Sequence, residues 1–143
     1  MQLYKIEKNF LSSSIIDAVI KNLEIYNNWE NNIYAPKRIT SDIRNFPMLE
    51  NIYNQHFSML GLLDHRIYFT HYITGTRCLK HQDPTRFTVL IVLKKATLGG
   101  EIKVGETIFD LAPGDALLIK GADNHEILTI LEGERLALAF WLY

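Results

Sequence analysis

From Arg66 onward the chain is written in short β-rich runs broken by glycine, proline and aspartate, and this texture restricts the fold more than any other feature. The runs fall at residues 67–73, 87–93, 101–104, 107–111, 116–120, 126–131 and 135–143. Gly99-Gly100, Gly105, Pro113-Gly114-Asp115, residues 121–124 and Gly133 stand between them. Many short strands with turns this close together predict a sandwich or barrel rather than a βαβ sheet. The first 60 residues read differently. Ser12, Ser13 and Ser14 precede Ile15, Ile16, Val19, Ile20 and Leu23, the pattern of an amphipathic helix with a serine N-cap. It fades at Asn27-Asn28. Residues 31–38 read as a loop. A second helix is expected from Ser41-Asp42, or after Pro47, carrying Met48, Leu49, Ile52, Tyr53 and Phe57. The expectation is one mainly β domain over residues 1–143, α+β overall, with helical support in 1–60 and the β core in 66–143.

Composition narrows the function. A chain of 143 residues is one domain by length. Lys and Arg number 15 against 16 Asp and Glu, a net charge of −1. Nothing in that balance favours a nucleic-acid partner, which would want a basic excess, although a local patch of Arg38, Arg44, Arg66, Arg77 and Arg86 leaves that class open. The single cysteine, Cys78, permits no intrachain disulfide and suits a reducing compartment, so a cytoplasmic location is expected. No apolar run approaches the ~20 residues of a membrane span. Lys5, Glu7 and Lys8 interrupt what would be a signal sequence.

Chemistry gathers at three places. In an extended segment side chains at i and i+2 share a face, so His81-Gln82-Asp83 projects an imidazole and a carboxylate together. His125 stands where a strand is expected to begin after the polar loop. Two histidines and one carboxylate leave open positions on a metal, as in non-haem Fe(II) oxygenases, while spacing alone leaves Zn(II), Mn(II) and Ni(II) open. Arg135 begins the last run. Period two puts Leu136, Leu138, Phe140 and Leu142 on one face and Arg135, Ala137, Ala139 and Trp141 on the other. A guanidinium beside two alanines has space next to it. If buried it needs an anion, and a carboxylate bound bidentately suits it. Cys78, three positions before His81, is expected on the opposite strand face as a small buried apolar residue of the pocket wall. His56, His65 and His71 read as surface or packing residues, Asp64-His65 as a turn, Lys94-Lys95 as a solvated strand end and Thr40 as a helix cap.

The order of these features resembles the catalytic core of the Fe(II)/2-oxoglutarate-dependent dioxygenases, in the prolyl 4-hydroxylase-like branch. Tyr72, Gly75, His81 and Asp83 match that family's Tyr-x2-Gly-x5-His-x-Asp. Thr88, Gly99-Gly100-Glu101 and Pro113-Gly114-Asp115 match its middle section. His125-Glu126-Ile127, Gly133, Arg135, Ala137, Leu138 and Trp141 match its final segment. The resemblance implies a double-stranded β-helix, or jelly roll. It implies Fe(II) on His81, Asp83 and His125, which are thereby the catalytic residues. Arg135 would pair with the distal carboxylate of 2-oxoglutarate, with Tyr72 and Thr88 beside that co-substrate, and Leu90, Val92, Ala137, Ala139 and Trp141 would line the pocket. Dioxygen is the second co-substrate. The implied reaction hydroxylates a C–H bond while 2-oxoglutarate is decarboxylated to succinate. A prolyl residue of a protein or peptide, or a free amino acid, is the first expectation for the substrate. A nucleobase hydroxylase or demethylase, and a non-catalytic cupin-type binding module, are the alternatives. Cupins want His-x-His and a Glu in their first motif, and this chain has His-x-Asp. Two positions depart from the pattern: Val92 where many relatives carry Tyr, and Ala139 where some carry Thr.

Overall fold

Ser12 starts the first helix, its hydroxyl accepting the Ile15 N–H at 3.3 Å, as the serine run predicts. The computed structural model describes residues 4–25, 37–41 and 46–143. In chain order the elements are β1 (Tyr4–Glu7), α1 (Ser13–Ile25), β2 (Lys37–Ser41), α2 (Pro47–His56), a 3₁₀ turn (Ser58–Leu60), β3 (His65–Tyr72) and β4 (Cys78–His81). These are followed by β5 (Phe87–Lys94), β6 (Leu98–Gly99), β7 (Ile102–Val104), β8 (Thr107–Phe109), β9 (Ala116–Lys120), β10 (His125–Ile127), β11 (Ile130–Glu132) and β12 (Arg135–Leu142). Helix α2 has Pro47 in its first turn, where the missing N–H costs nothing. The expected fading of α1 at Asn27-Asn28, residues 31–36 of the expected loop and the helix start at Asp42 lie outside the described residues, whereas Lys37 and Arg38 of that loop and Ser41, the other expected helix start, lie in the strand β2.

A six-stranded sheet in the order β1-β9-β5-β12-β3-β2 faces a four-stranded sheet in the order β4-β10-β7-β8, with β6 and β11 as a separate ribbon. The sheet pairings are antiparallel. This is a jelly-roll sandwich, the expected class. The first 60 residues are more than helical support, however. β1 pairs with β9 and β2 with β3, so the N-terminal region also supplies both edges of the large sheet. Thr40, expected as a helix cap, lies in β2 opposite Tyr68, and the N-cap position of α2 is Phe46. The run at 126–131 divides into β10 and β11 because residues 128 and 129 leave the small sheet for the ribbon.

Period two in β12 decides what each face touches. Leu138, Phe140 and Leu142 join Ile67, Phe69, Val89 and Ile91 under α1 and α2, against Ile16, Val19, Leu49 and Ile52. Burying each such side chain contributes about 1.5–3 kcal/mol. The other apolar cluster fills the space between the sheets, with Val92, Leu117 and Ile119 against Ile102, Val104 and Ile127. The β12 face bearing Arg135, Ala137, Ala139 and Trp141 opens onto a cavity in this second layer.

Candidate metal centre and anion pocket

β4 and β10 are paired so that His81 stands directly opposite His125. Asp83 follows at the end of β4, its N–H donating to the Gly121 carbonyl at 2.8 Å. Gly121 makes that approach possible: a Cβ there would lie 2.1 Å from the Thr85 carbonyl oxygen and 2.8 Å from that of Asp83. The carboxylate sits between the two rings, with His81 Nε2 3.3 Å from Oδ1 and His125 Nε2 3.2 Å from Oδ2. The three ligand atoms lie within 4.8 Å of one another.

Backbone carbonyls set the orientation of both rings. His81 Nδ1 is 2.6 Å from the Leu79 oxygen and His125 Nδ1 is 2.9 Å from the Asp123 oxygen. A ring that donates from Nδ1 presents Nε2 as its free lone pair, the usual device for orienting a metal-binding histidine. Thr88, fully buried, donates from Oγ1 to Asp83 Oδ2 at 2.8 Å. Electrostatics point the same way. Burial penalises the Asp83 charge, yet hydrogen bonds from His125, His81 and Thr88 outweigh it and hold the carboxyl well below its usual range. Burial likewise disfavours a charged His81, but hydrogen bonds to Asp83, Cys78 and the Leu79 carbonyl raise its pKa to about 10. His81 is therefore held protonated in the metal-free centre, and a divalent cation would take the place of the proton that its Nε2 shares with Asp83. Three N and O donors on one side, open to a cavity on the other, fit a non-haem divalent metal.

The same cavity, of about 340 Å³, reaches from this triad to Arg135. Arg135 is 3% exposed, and its Nη2 has no hydrogen-bond partner. Desolvation lowers its pKa, offset only in part by Tyr72 and Cys78. Its guanidinium carbon lies 5.5 Å from the centre of the Tyr72 ring. Gly100, at φ +77°, leaves room for the arginine stem, since a Cβ there would stand 3.3 Å from Arg135 Cδ. A buried guanidinium with an unused donor is costly, and a carboxylate entering the cavity would satisfy it.

The structure brings together His81, Asp83, His125, Arg135, Tyr72, Leu90, Ala137, Ala139 and Trp141 around this cavity. Two expected residues are placed elsewhere. Thr88 does not stand on the wall: its hydroxyl is spent on Asp83 and on Thr85 Oγ1 at 2.9 Å. Val92 shares the Leu90 face but is sealed in the apolar layer, 3% exposed. Cys78 corrects the strand-parity expectation by lining the cavity on the same side as His81. The cause is a register shift, because three steps from Cys78 to His81 oppose two from Ile127 to His125, and an extra residue reverses facing. Tyr68, Thr70, Gln82, Pro84 and Ile127 also line the cavity and were missed. Period two from Tyr72 would have found Tyr68 and Thr70. His56 packs at a tilt against Phe10, His65 stacks on Tyr53, and His71 pairs with Glu134 at 2.9 Å, so all three are packing or surface groups. Of the arginine patch, Arg44 lies outside the described residues, and Arg86 donates to the Leu60 carbonyl at 3.3 Å. No helix among the described residues is long and apolar enough to cross a membrane.

No protein-family model and no curated protein matches the sequence. Solved structures do match its fold. A viral collagen prolyl hydroxylase from Paramecium bursaria Chlorella virus-1, in complex with 2-oxoglutarate, superimposes with a TM-score of 0.81 at 16% identity, covering 97% of this chain and 94% of that one. A prolyl-4-hydroxylase from Pseudomonas putida gives 0.73 at 19% identity, over 99% of this chain and 92% of that one. A prolyl hydroxylase from Trichoplax adhaerens, in complex with a hypoxia inducible factor peptide fragment, gives 0.75 at 17% identity, over 98% and 83%. The chain has the fold of the prolyl hydroxylases and 2OG-Fe(II) oxygenases.

Proposed function

We propose that this protein is an Fe(II)- and 2-oxoglutarate-dependent dioxygenase that hydroxylates a C–H bond. The observation that carries the reading is one cavity with two complementary ends. At one end a His-Asp-His triad presents three convergent ligand atoms. At the other a buried arginine has an unused donor. His81, Asp83 and His125 would hold the metal, and Arg135 the distal carboxylate of 2-oxoglutarate. Bound Fe(II), with 2-oxoglutarate and dioxygen, supplies the oxidising chemistry, releasing succinate and carbon dioxide as oxygen enters the substrate.

The residues hold geometry. The Leu79 and Asp123 carbonyls keep both Nε2 atoms available, and Thr88 fixes the Asp83 carboxylate. Ala137 and Ala139 leave the width that a co-substrate needs along β12. Tyr68 and Trp141, in edge contact at 4.6 Å, form an aromatic wall. For the prime substrate the reading favours a prolyl residue of a protein or peptide, or a free amino acid. Support comes from the prolyl hydroxylases among the structural neighbours, one of them holding a peptide. The near-neutral charge sets nucleic acid behind these. A cytoplasmic location belongs to the same proposal.

The test is incubation of purified protein with Fe(II) and 2-oxoglutarate, scoring succinate, with candidate substrates scored by a +16 Da product. Succinate is expected slowly without substrate and faster with one, and Asp83→Ala should abolish it. Metal binding with no succinate under any condition would favour a cupin-type binding module.

A further inference from the structure

We propose that Gln82 is a positioning residue that straps together the two segments carrying the metal ligands. The proposal rests on the metal-binding half of the oxygenase reading above and gives a role to a side chain which that reading leaves unused. Gln82 lies between His81 and Asp83, whose side chains both turn in to the site. Period two therefore turns Gln82 outward, and it is an exposed residue bordering the cavity. Its carboxamide is nevertheless held. Nε2 donates to the Ala122 carbonyl at 2.8 Å, across 40 positions of sequence. A long amide side chain gives up rotamer freedom to be fixed in this way.

The bond matters because of what it joins. Residues 121–124 lead into His125, and the Asp123 carbonyl stands 2.9 Å from His125 Nδ1. The segment 82–86 carries Asp83, whose carboxylate meets both imidazoles. Three hydrogen bonds tie one segment to the other. The Asp83 N–H donates to the Gly121 carbonyl at 2.8 Å, and the Gly121 N–H to the Arg86 carbonyl at 3.4 Å. Both are backbone bonds and both fall on Gly121, which leaves a pivot at that residue. The Gln82 bond falls one residue further on, at Ala122, and opposes rotation about the pivot. It therefore passes the placement of Asp83 on to the loop behind His125. The Asp123 N–H donates to the Lys120 carbonyl at 3.0 Å and the Gly105 N–H to the Asn124 carbonyl at 2.9 Å. Those bonds fasten the loop to the end of β9 and to the β7–β8 turn, not to Asp83. His81 needs no such strap, because the carbonyl that sets its ring belongs to Leu79 in the same strand.

The experiment compares Gln82→Met, which keeps the length without the donor, with Gln82→Asn, which keeps the carboxamide but is one methylene short. Co(II) affinity is read from the visible spectrum, and hydrogen exchange of the Asp83 and Asp123 amides by NMR on the metal-free protein. The net worth of one such hydrogen bond corresponds to about 3–10-fold in an equilibrium constant. Both variants are expected to weaken Co(II) binding by about that factor and to speed exchange of the two amides similarly. The urea midpoint and the exchange of core amides such as Leu90 and Leu138 should keep their wild-type values, because Gln82 is exposed. A general loss of structure would move the core amides as well. The proposal is overturned if Gln82→Met leaves the Co(II) affinity unchanged, if Gln82→Asn binds as tightly as wild type, or if affinity and core exchange change together. Wild-type protein that binds no Co(II) would instead overturn the metal-site reading beneath it.

Discussion

Replacing Arg135 with methionine should make the empty protein more stable and the binding of 2-oxoglutarate much worse. The opposite signs follow from the arginine's surroundings. The guanidinium is 3% exposed, its Nη2 has no partner, and burial depresses its pKa. Without an anion it is an uncompensated charge in an apolar layer. Methionine fills much of the same volume with no charge to desolvate, and replacing buried ionic groups by apolar ones is stabilising by about 1–4 kcal/mol. For a domain of this size each kcal/mol raises Tm by about 3–4 °C. Removing one partner of a buried charge pair costs about 2–5 kcal/mol of binding, so the Kd for 2-oxoglutarate should rise about 30-fold or more. Urea denaturation of the metal-free protein measures the first effect. Anaerobic calorimetric titration with 2-oxoglutarate on the metal-loaded protein measures the second, and Co(II) affinity should change less than about threefold. A variant that is less stable by more than about 1 kcal/mol yet binds 2-oxoglutarate normally would refute the reasoning, because Arg135 would then be satisfied by the fold itself.

Thr88→Val removes one hydrogen bond to a buried carboxylate at nearly constant volume. Metal affinity measured by Co(II) titration should fall about tenfold, with a loss of roughly 1.5–3 kcal/mol in metal-free stability. Gly121→Ala places a methyl 2.1 Å from the Thr85 carbonyl oxygen. It should displace the Asp83 segment and abolish Co(II) binding at wild-type protein concentrations, whereas an unchanged affinity would show that the segment yields freely. Asp115 accepts from Lys8 Nζ at 2.8 Å and from the Asn9 and Ala112 N–H groups at 3.1 Å each. Burial opposes its charge, but these donors hold the carboxyl below its ordinary pKa. A depressed carboxylate contributes stability that is complete above the unfolded pKa, near 3.9, and is lost as pH falls through the folded value. Asp115→Asn should therefore lower the urea midpoint at pH 7 and flatten its decline below about pH 4, in a series from pH 7 to pH 3.

Much of the site was legible because period two is a local rule. β12 sorts Arg135 from Leu136 without any knowledge of its neighbours, and the structure keeps Leu138, Phe140 and Leu142 in the core under the helices and Arg135, Ala137, Ala139 and Trp141 on the cavity. Where the rule failed, a longer-range interaction had intervened. Cys78 was turned to the cavity by its pairing with β10. Thr88 was claimed by Asp83, five residues away in sequence and adjacent only because Gly121 lets the chain close in. Val92 has the facing expected of it but lies in the sealed layer beyond the cavity. β1 and β2 escaped notice because four or five residues at a sheet edge carry little pattern of their own.

By itself, the order of residues determined the β-sandwich class, the three metal-ligand candidates and the need of Arg135 for an anion. These depend on alternation along single strands and on the chemistry of side chains, both local properties. The tertiary structure alone decided that the triad and Arg135 share one cavity. It also decided which carbonyls fix the two imidazoles and which face Cys78 presents. Those outcomes depend on strand register and sheet packing, which are set by contacts between residues far apart in the chain.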